Sequence, residues 1–121
     1  MTGFVFLLAT SLPTLAANPP LTEKAKIESL ISHVEGLKDA VFVRNGSEYD
    51  AKSAGKFLRG KWQSNDKDIK TATDFIAKAA SVSSTTGKPY MIRFKDGKQV
   101  KCSDHLTEEL KKLEAAPQEK P

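Results

Sequence analysis

Gly87-Lys88 closes a hydroxyl-rich run from Ser81 to Thr86, and this is where the sequence comes nearest to a phosphate cradle. Free backbone N–H groups and a lysine are what such a cradle uses. A nucleotide-binding loop also needs a glycine five residues before the Gly-Lys pair, a Ser or Thr after it, and a strand in front. Here position 82 is valine, Pro89 follows, and a helical pattern precedes. The run therefore reads as a connection whose hydroxyls satisfy their own backbone. Thr85 and Lys88 have the spacing of a nucleophile and a lysine base one helical turn apart, with Ser84 close in sequence. Gly87 and Pro89 oppose the helical turn that would bring amine to hydroxyl, so no catalytic residue is assigned.

His33 and His105 are the two histidines. Asp104 adjoins His105 and so points elsewhere, and both histidines read as partly exposed helical residues with no metal assigned. Cys102 is the lone cysteine, which excludes an intramolecular disulfide. Its expected role is that of a small buried hydrophobe. Charge placement says more. Lys52, Lys56 and Arg59 fall on one stripe of a helical pattern, and no acidic residue occurs from Ala51 through Asn65. Such a stripe is a candidate contact for phosphates or carboxylates of an envelope surface, weighed against a simple solvated face.

These residues must be positioned by a small chain. The first 17 of the 121 residues carry no charge, and Phe4 to Ala9 forms an apolar run followed by small residues at Thr14-Leu15-Ala16-Ala17. That pattern is expected of a cleavable signal peptide, although no Lys or Arg precedes it. The apolar stretch is too short for a spanning helix, so no transmembrane anchor is expected after cleavage. Residues 18–21 read as a leader, 22–114 as a single domain and 115–121 as a mobile, polar tail. With 39% hydrophobic and 28% charged residues, a folded domain is the expectation. The net charge of +4 is too modest to point to nucleic acid in an exported protein.

Within the domain, Thr22 can cap a helix carrying Ile27, Leu30, Ile31, Val34 and Leu37 at three-and-four spacing. Ala40 to Arg44 reads as a strand stopping at the turn dipeptide Asn45-Gly46. Asp50 can cap a second helix from Ala51 to about Trp62, and Thr71 or Thr73 a third over Ala72 to Ala80. Tyr90 to Phe94 alternates as a strand. A three-residue Lys95-Asp96-Gly97 loop then pairs Ile92 with Val100 and Tyr90 with Cys102, keeping the apolar side chains on one face. Ser103 or Asp104 should cap a last helix with Leu106, Leu110 and Leu113. The expected fold is α+β: a small three-stranded antiparallel or mixed sheet packed against about four helices, in the order α-β-α-α-β-β-α.

Phe42-Val43-Arg44-Asn45-Gly46-x-x-Tyr49, then Ala54 with Phe57-Leu58 and Lys61, then Thr71-Ala72-x-x-Phe75-Ile76, then Ala80-Ser81-x-Ser83-Ser84-x-x-Gly87-Lys88-Pro89-Tyr90, together resemble the YfeK-like family of small exported bacterial proteins, a domain of unknown function. The likeness spans about Val41 to Leu110. It implies a periplasmic or secreted location and transfers no activity and no functional residues. It singles out two loops, Arg44-Asn45 with Tyr49 and Ser83-Ser84 through Lys88 and Tyr90, as candidate binding residues. The leading functional expectation is a non-enzymatic envelope module that binds a protein or an anionic envelope component, with no cofactor. The alternative is a small envelope-directed hydrolase or transferase using Ser83, Ser84 or Lys88 with help from Arg44.

Overall fold

Thr22 Oγ1 accepts the Ala25 N–H at 3.0 Å and opens helix α1 (Glu23–Gly36), whose buried stripe is Ile27, Leu30, Ile31 and Val34. Asp50 does the same for α2 (Ala51–Ser64), accepting from Ser53 N–H at 2.8 Å, and that helix buries Ala51, Ala54 and Leu58. Helix α3 (Ala72–Ala79) is capped by Thr71 rather than Thr73. Thr71 and Asp74 form a capping box, each side chain accepting the other's backbone N–H. This computed structural model describes residues 21–115. The signal segment, most of the leader and the tail from residue 116 lie outside the described residues.

Among the described residues the sheet has four strands where three were expected. Strand β1 (Val41–Arg44) turns at Asn45 and Gly46, with φ of 52° and 81°, into β2 (Ser47–Tyr49), so Asn-Gly forms a two-residue hairpin loop. Ser47-Glu48-Tyr49 is too short and polar to show alternation, and its one inward aromatic is Tyr49. Strands β3 (Met91–Arg93) and β4 (Gln99–Lys101) complete an all-antiparallel sheet in the order β2-β1-β3-β4. The observed order is therefore α-β-β-α-α-β-β-α.

The second hairpin has the expected register. Ile92 pairs with Val100, Phe94 N–H donates to Lys98 O at 2.8 Å, and Gly97 takes a φ of 92° that closes the three-residue loop. Cys102 N–H donates to Tyr90 O at 2.8 Å. The same cysteine is the first residue of α4 (Cys102–Ala115), so the expected cap at Ser103 or Asp104 is not used. The reason is local: the sheet satisfies an N–H that a helix start would otherwise leave free.

Alternation puts Phe42, Arg44, Tyr49, Tyr90, Ile92, Phe94, Val100 and Cys102 on one face of the sheet. Phe42, Tyr90, Ile92 and Cys102 are buried there in one cluster with the helix stripes, including Phe75, Ile76, Leu106 and Leu110. The other face carries Val41, Val43 and Met91 together with an ion pair between Glu48 and Arg93 at 2.6 Å. A charge on edge strand β2 also discourages pairing with another chain. No helix among the described residues is long and apolar enough to cross a membrane.

Candidate functional site

Arg44 is the odd member of the inward-facing set, a cation at the end of β1 on the face that otherwise builds the core. It lines a cavity of about 300 Å³ between the sheet and α2, whose other walls include Phe42, Tyr49, Ala54, Phe57, Leu58, Tyr90 and Cys102. Its guanidinium lies 4.5 Å from the Phe57 ring centre and 5.2 Å from that of Tyr49, distances at which a cation is attracted to a ring face. One arm donates to Tyr49 Oη at 3.1 Å, and this hydrogen bond holds the phenol below its ordinary range. Among the described residues no carboxylate pairs with Arg44.

Lys61, one helical turn after Phe57 on α2, stands beside the same aromatic wall. Its ammonium is 5.7 Å from the Phe57 centre and 5.6 Å from that of Tyr90, and it donates to Tyr90 Oη at 3.3 Å. Phe57 in turn meets Tyr90 edge-on, with ring centres 5.5 Å apart. Lys61 also has no carboxylate partner among the described residues. The cavity is thus apolar, with one guanidinium in its wall and an ammonium close by. Cys102 is 2% exposed, and burial pushes its thiol up to about 12, which makes it an inert wall rather than a nucleophile.

The two loops singled out from the sequence do meet. Asn45 Nδ2 donates to Ser83 Oγ at 3.1 Å, and Thr86 Oγ1 donates to Asn45 Oδ1 at 2.6 Å. Ser83 is buried, and its hydroxyl also lies 2.9 Å from Thr85 Oγ1. No histidine or carboxylate hydrogen-bonds Ser83 among the described residues, so nothing there would take its proton. Ser84 and Lys88 are exposed. The loop is held as a turn by Gly87 N–H donating to Ser83 O at 2.8 Å, with Gly87 at a φ of 75°. Of this group the structure brings Arg44, Tyr49 and Tyr90 to the cavity, and uses Asn45 and Ser83 to tie two loops.

The basic stripe is less bare than the sequence suggests. Lys52 and Lys56 are exposed, but Arg59 Nη1 reaches both oxygens of Glu28 on α1, at 2.9 and 3.0 Å. A partner 31 residues away in the chain is invisible to a local count of acidic residues.

Sequence reasoning missed two arrangements. Lys61 and Phe57 belong to the pattern that resembles the family but were not named as site residues, although their spacing of four places them on one face. The histidines are partly exposed, as expected, yet they touch: His33 Nε2 lies 2.8 Å from His105 Nε2, and His33 Nδ1 lies 3.5 Å from Glu109 Oε1. The signal available was Glu109, four residues after His105 on the same helix face. Burial, with a smaller contribution from His33, holds the His105 imidazole below its ordinary range.

A family model described as a family of unknown function, DUF5329, matches residues 21–114. The uncharacterized protein YfeK of Salmonella typhimurium (strain LT2) is 41% identical over 86 residues, which cover 71% of each chain. No solved structure matches. The match covers every helix and strand that builds the cavity, and the chain therefore belongs to DUF5329, a family of unknown function that includes YfeK-like proteins.

Proposed function

We propose that this domain is a non-enzymatic binding module of the bacterial envelope, and that it takes a small amphiphilic anion. The apolar body of the ligand fills the cavity between α2 and the sheet, and its carboxylate meets Arg44. The observation that carries this reading is the guanidinium that has no carboxylate partner among the described residues, in the wall of an apolar cavity of about 300 Å³. Cavities of this size with few convergent polar groups are typical of small-ligand sites. Arginine has five N–H donors in a rigid fork, and those not spent on Tyr49 match a carboxylate. Lys61 adds a second positive charge beside the Phe57 and Tyr90 rings. The uncharged N-terminal run supplies the envelope location in this proposal, as an export signal.

Titration of the protein with decanoate tests the reading, with decanol and decyltrimethylammonium as matched neutral and cationic probes. Saturable decanoate binding should shift the amide resonances of Tyr49, Phe57 and Cys102, and the cationic probe should not compete. A charge-assisted hydrogen bond is worth about 1.5–3 kcal/mol, so Arg44→Gln should weaken decanoate about 10- to 100-fold and leave decanol nearly unchanged. Equal affinity for all three probes, or decanoate binding that survives Arg44→Gln intact, sinks the proposal.

A further inference from the structure

His105 and Glu109 are four residues apart on α4 and share one face, and His33 meets that face from α1. The two Nε2 atoms lie 2.8 Å apart, with the rings stacked at a centre separation of 5.0 Å, and Glu109 Oε1 lies 3.5 Å from His33 Nδ1. One ligand atom from each of the three side chains falls within 4.8 Å of the others. Phe94 packs against His105 at 5.4 Å and limits how far that ring can swing away. At this separation an N–H of one ring donates to the nitrogen of the other.

We propose that His33, His105 and Glu109 form a site for a single zinc ion, which replaces the hydrogen bond between the two rings. Imidazole nitrogen and carboxylate oxygen are ordinary zinc ligands, and three protein ligands leave a fourth position for water or an exogenous group. A tetrahedral ion bound at about 2.0–2.1 Å holds its ligand atoms about 3.3 Å apart, so the rings must part by about half an ångström and the Glu109 carboxylate, which faces His33 Nδ1, must close in from within 4.8 Å. Small rotations of half-buried side chains supply that movement. The His33 and Glu109 side chains are 28% and 19% exposed, so an ion reaches them directly from solvent.

Lys112 opposes the ion. Its ammonium lies 3.2 Å from Glu109 Oε2, but its side chain is 73% exposed and free to swing outward. That opposition gives the site a signature beyond loss of affinity. A variant that removes the lysine charge should bind zinc more tightly, whereas a purely structural histidine pair gives no reason for such a gain.

The experiment is calorimetric titration of the untagged full-length protein with zinc chloride, with cobalt(II) absorption reporting coordination. One ion per chain is expected, with a tetrahedral cobalt spectrum. Outer partners of metal ligands alone account for about 10- to 100-fold in affinity, so His33→Gln and His105→Gln should each lower it by more than about tenfold. Lys112→Gln should raise it. Circular dichroism checks that each variant is folded. If His105→Gln fails to fold, His33→Gln and the Lys112→Gln gain decide the matter. Absence of saturation at millimolar zinc, or histidine variants that bind like the parent, overturns the proposal.

Discussion

The Asn45 side chain joins two loops 38 residues apart, donating to Ser83 Oγ at 3.1 Å while its carbonyl accepts from Thr86 Oγ1 at 2.6 Å. Asn45 holds a φ of 52°, where a short polar side chain is tolerated and most others are strained. One residue therefore shapes the β1–β2 turn and anchors the segment leading into β3.

The two duties can be separated by substitution. Asn45→Gly keeps the backbone and removes the bridge, and should cost about 1 kcal/mol. Asn45→Ala adds the left-handed penalty and should be lower by about a further 1 kcal/mol. Urea unfolding of the three proteins reads both differences. A glycine variant as stable as the parent would show that the bridge contributes nothing.

Acid should weaken the fold through the carboxylates at helix starts. Glu23 accepts Ala72 N–H at 2.9 Å and pairs with Lys26, and its pKa is lowered from 4.5, chiefly by the Ala72 bond. Asp74 is lowered from 3.8, chiefly by the Lys70 N–H, and Asp50 from 3.8 by that of Ser53. A depressed folded pKa means stabilisation that is complete above the unfolded value and lost as pH falls through the folded one. The urea midpoint should therefore be insensitive to these groups near neutrality and drop below about pH 4.5. Glu23→Gln should lower the neutral midpoint and flatten that acid limb.

The Cys102 thiol should report global opening. With its pKa pushed up to about 12 by burial, it offers almost no thiolate at pH 8 in the native state. Reaction with an aromatic disulfide reagent should be at least ~1000-fold slower than in denaturing urea. Fast labelling of the native protein would place the thiol within reach of solvent through the cavity.

Gly97 closes the β3–β4 loop at a φ of 92°, and a Cβ added there meets nothing within 4 Å. Gly97→Ala should therefore cost about 1–2 kcal/mol, through backbone conformation alone. Gly97→Asn should cost less, because Asn tolerates the left-handed region better. Thermal unfolding checks the ranking.

Much of the fold was legible because it is built from local rules. The helix stripes, the caps at Thr22, Asp50 and Thr71, and the register pairing Ile92 with Val100 follow from spacing and loop length. Strand β2 was hidden because its pairing depends on β1 and not on its own composition. The α4 start was misplaced because the sheet, and not a capping side chain, meets the Cys102 N–H. The candidate site was half legible. Arg44, Tyr49 and Tyr90 stood out in the sequence, but that Arg44 lies over Phe57 depends on β1 packing against α2. The Arg59–Glu28 pair and the His33–His105 contact likewise join separate helices, and no local pattern records which helices will be neighbours.

The junction at Cys102 has a consequence for motion. A residue that is at once the end of a β-ladder and the start of a helix leaves no slack between the two, so hairpin β3–β4 and helix α4 cannot open independently at that point. Amide hydrogens of Ile92, Cys102 and Leu106 should then exchange with deuterium in one cooperative event, at a common rate and with a common dependence on denaturant. Fluctuations that reach the cavity wall at Cys102 would be carried along α4 to His105 as one rigid displacement.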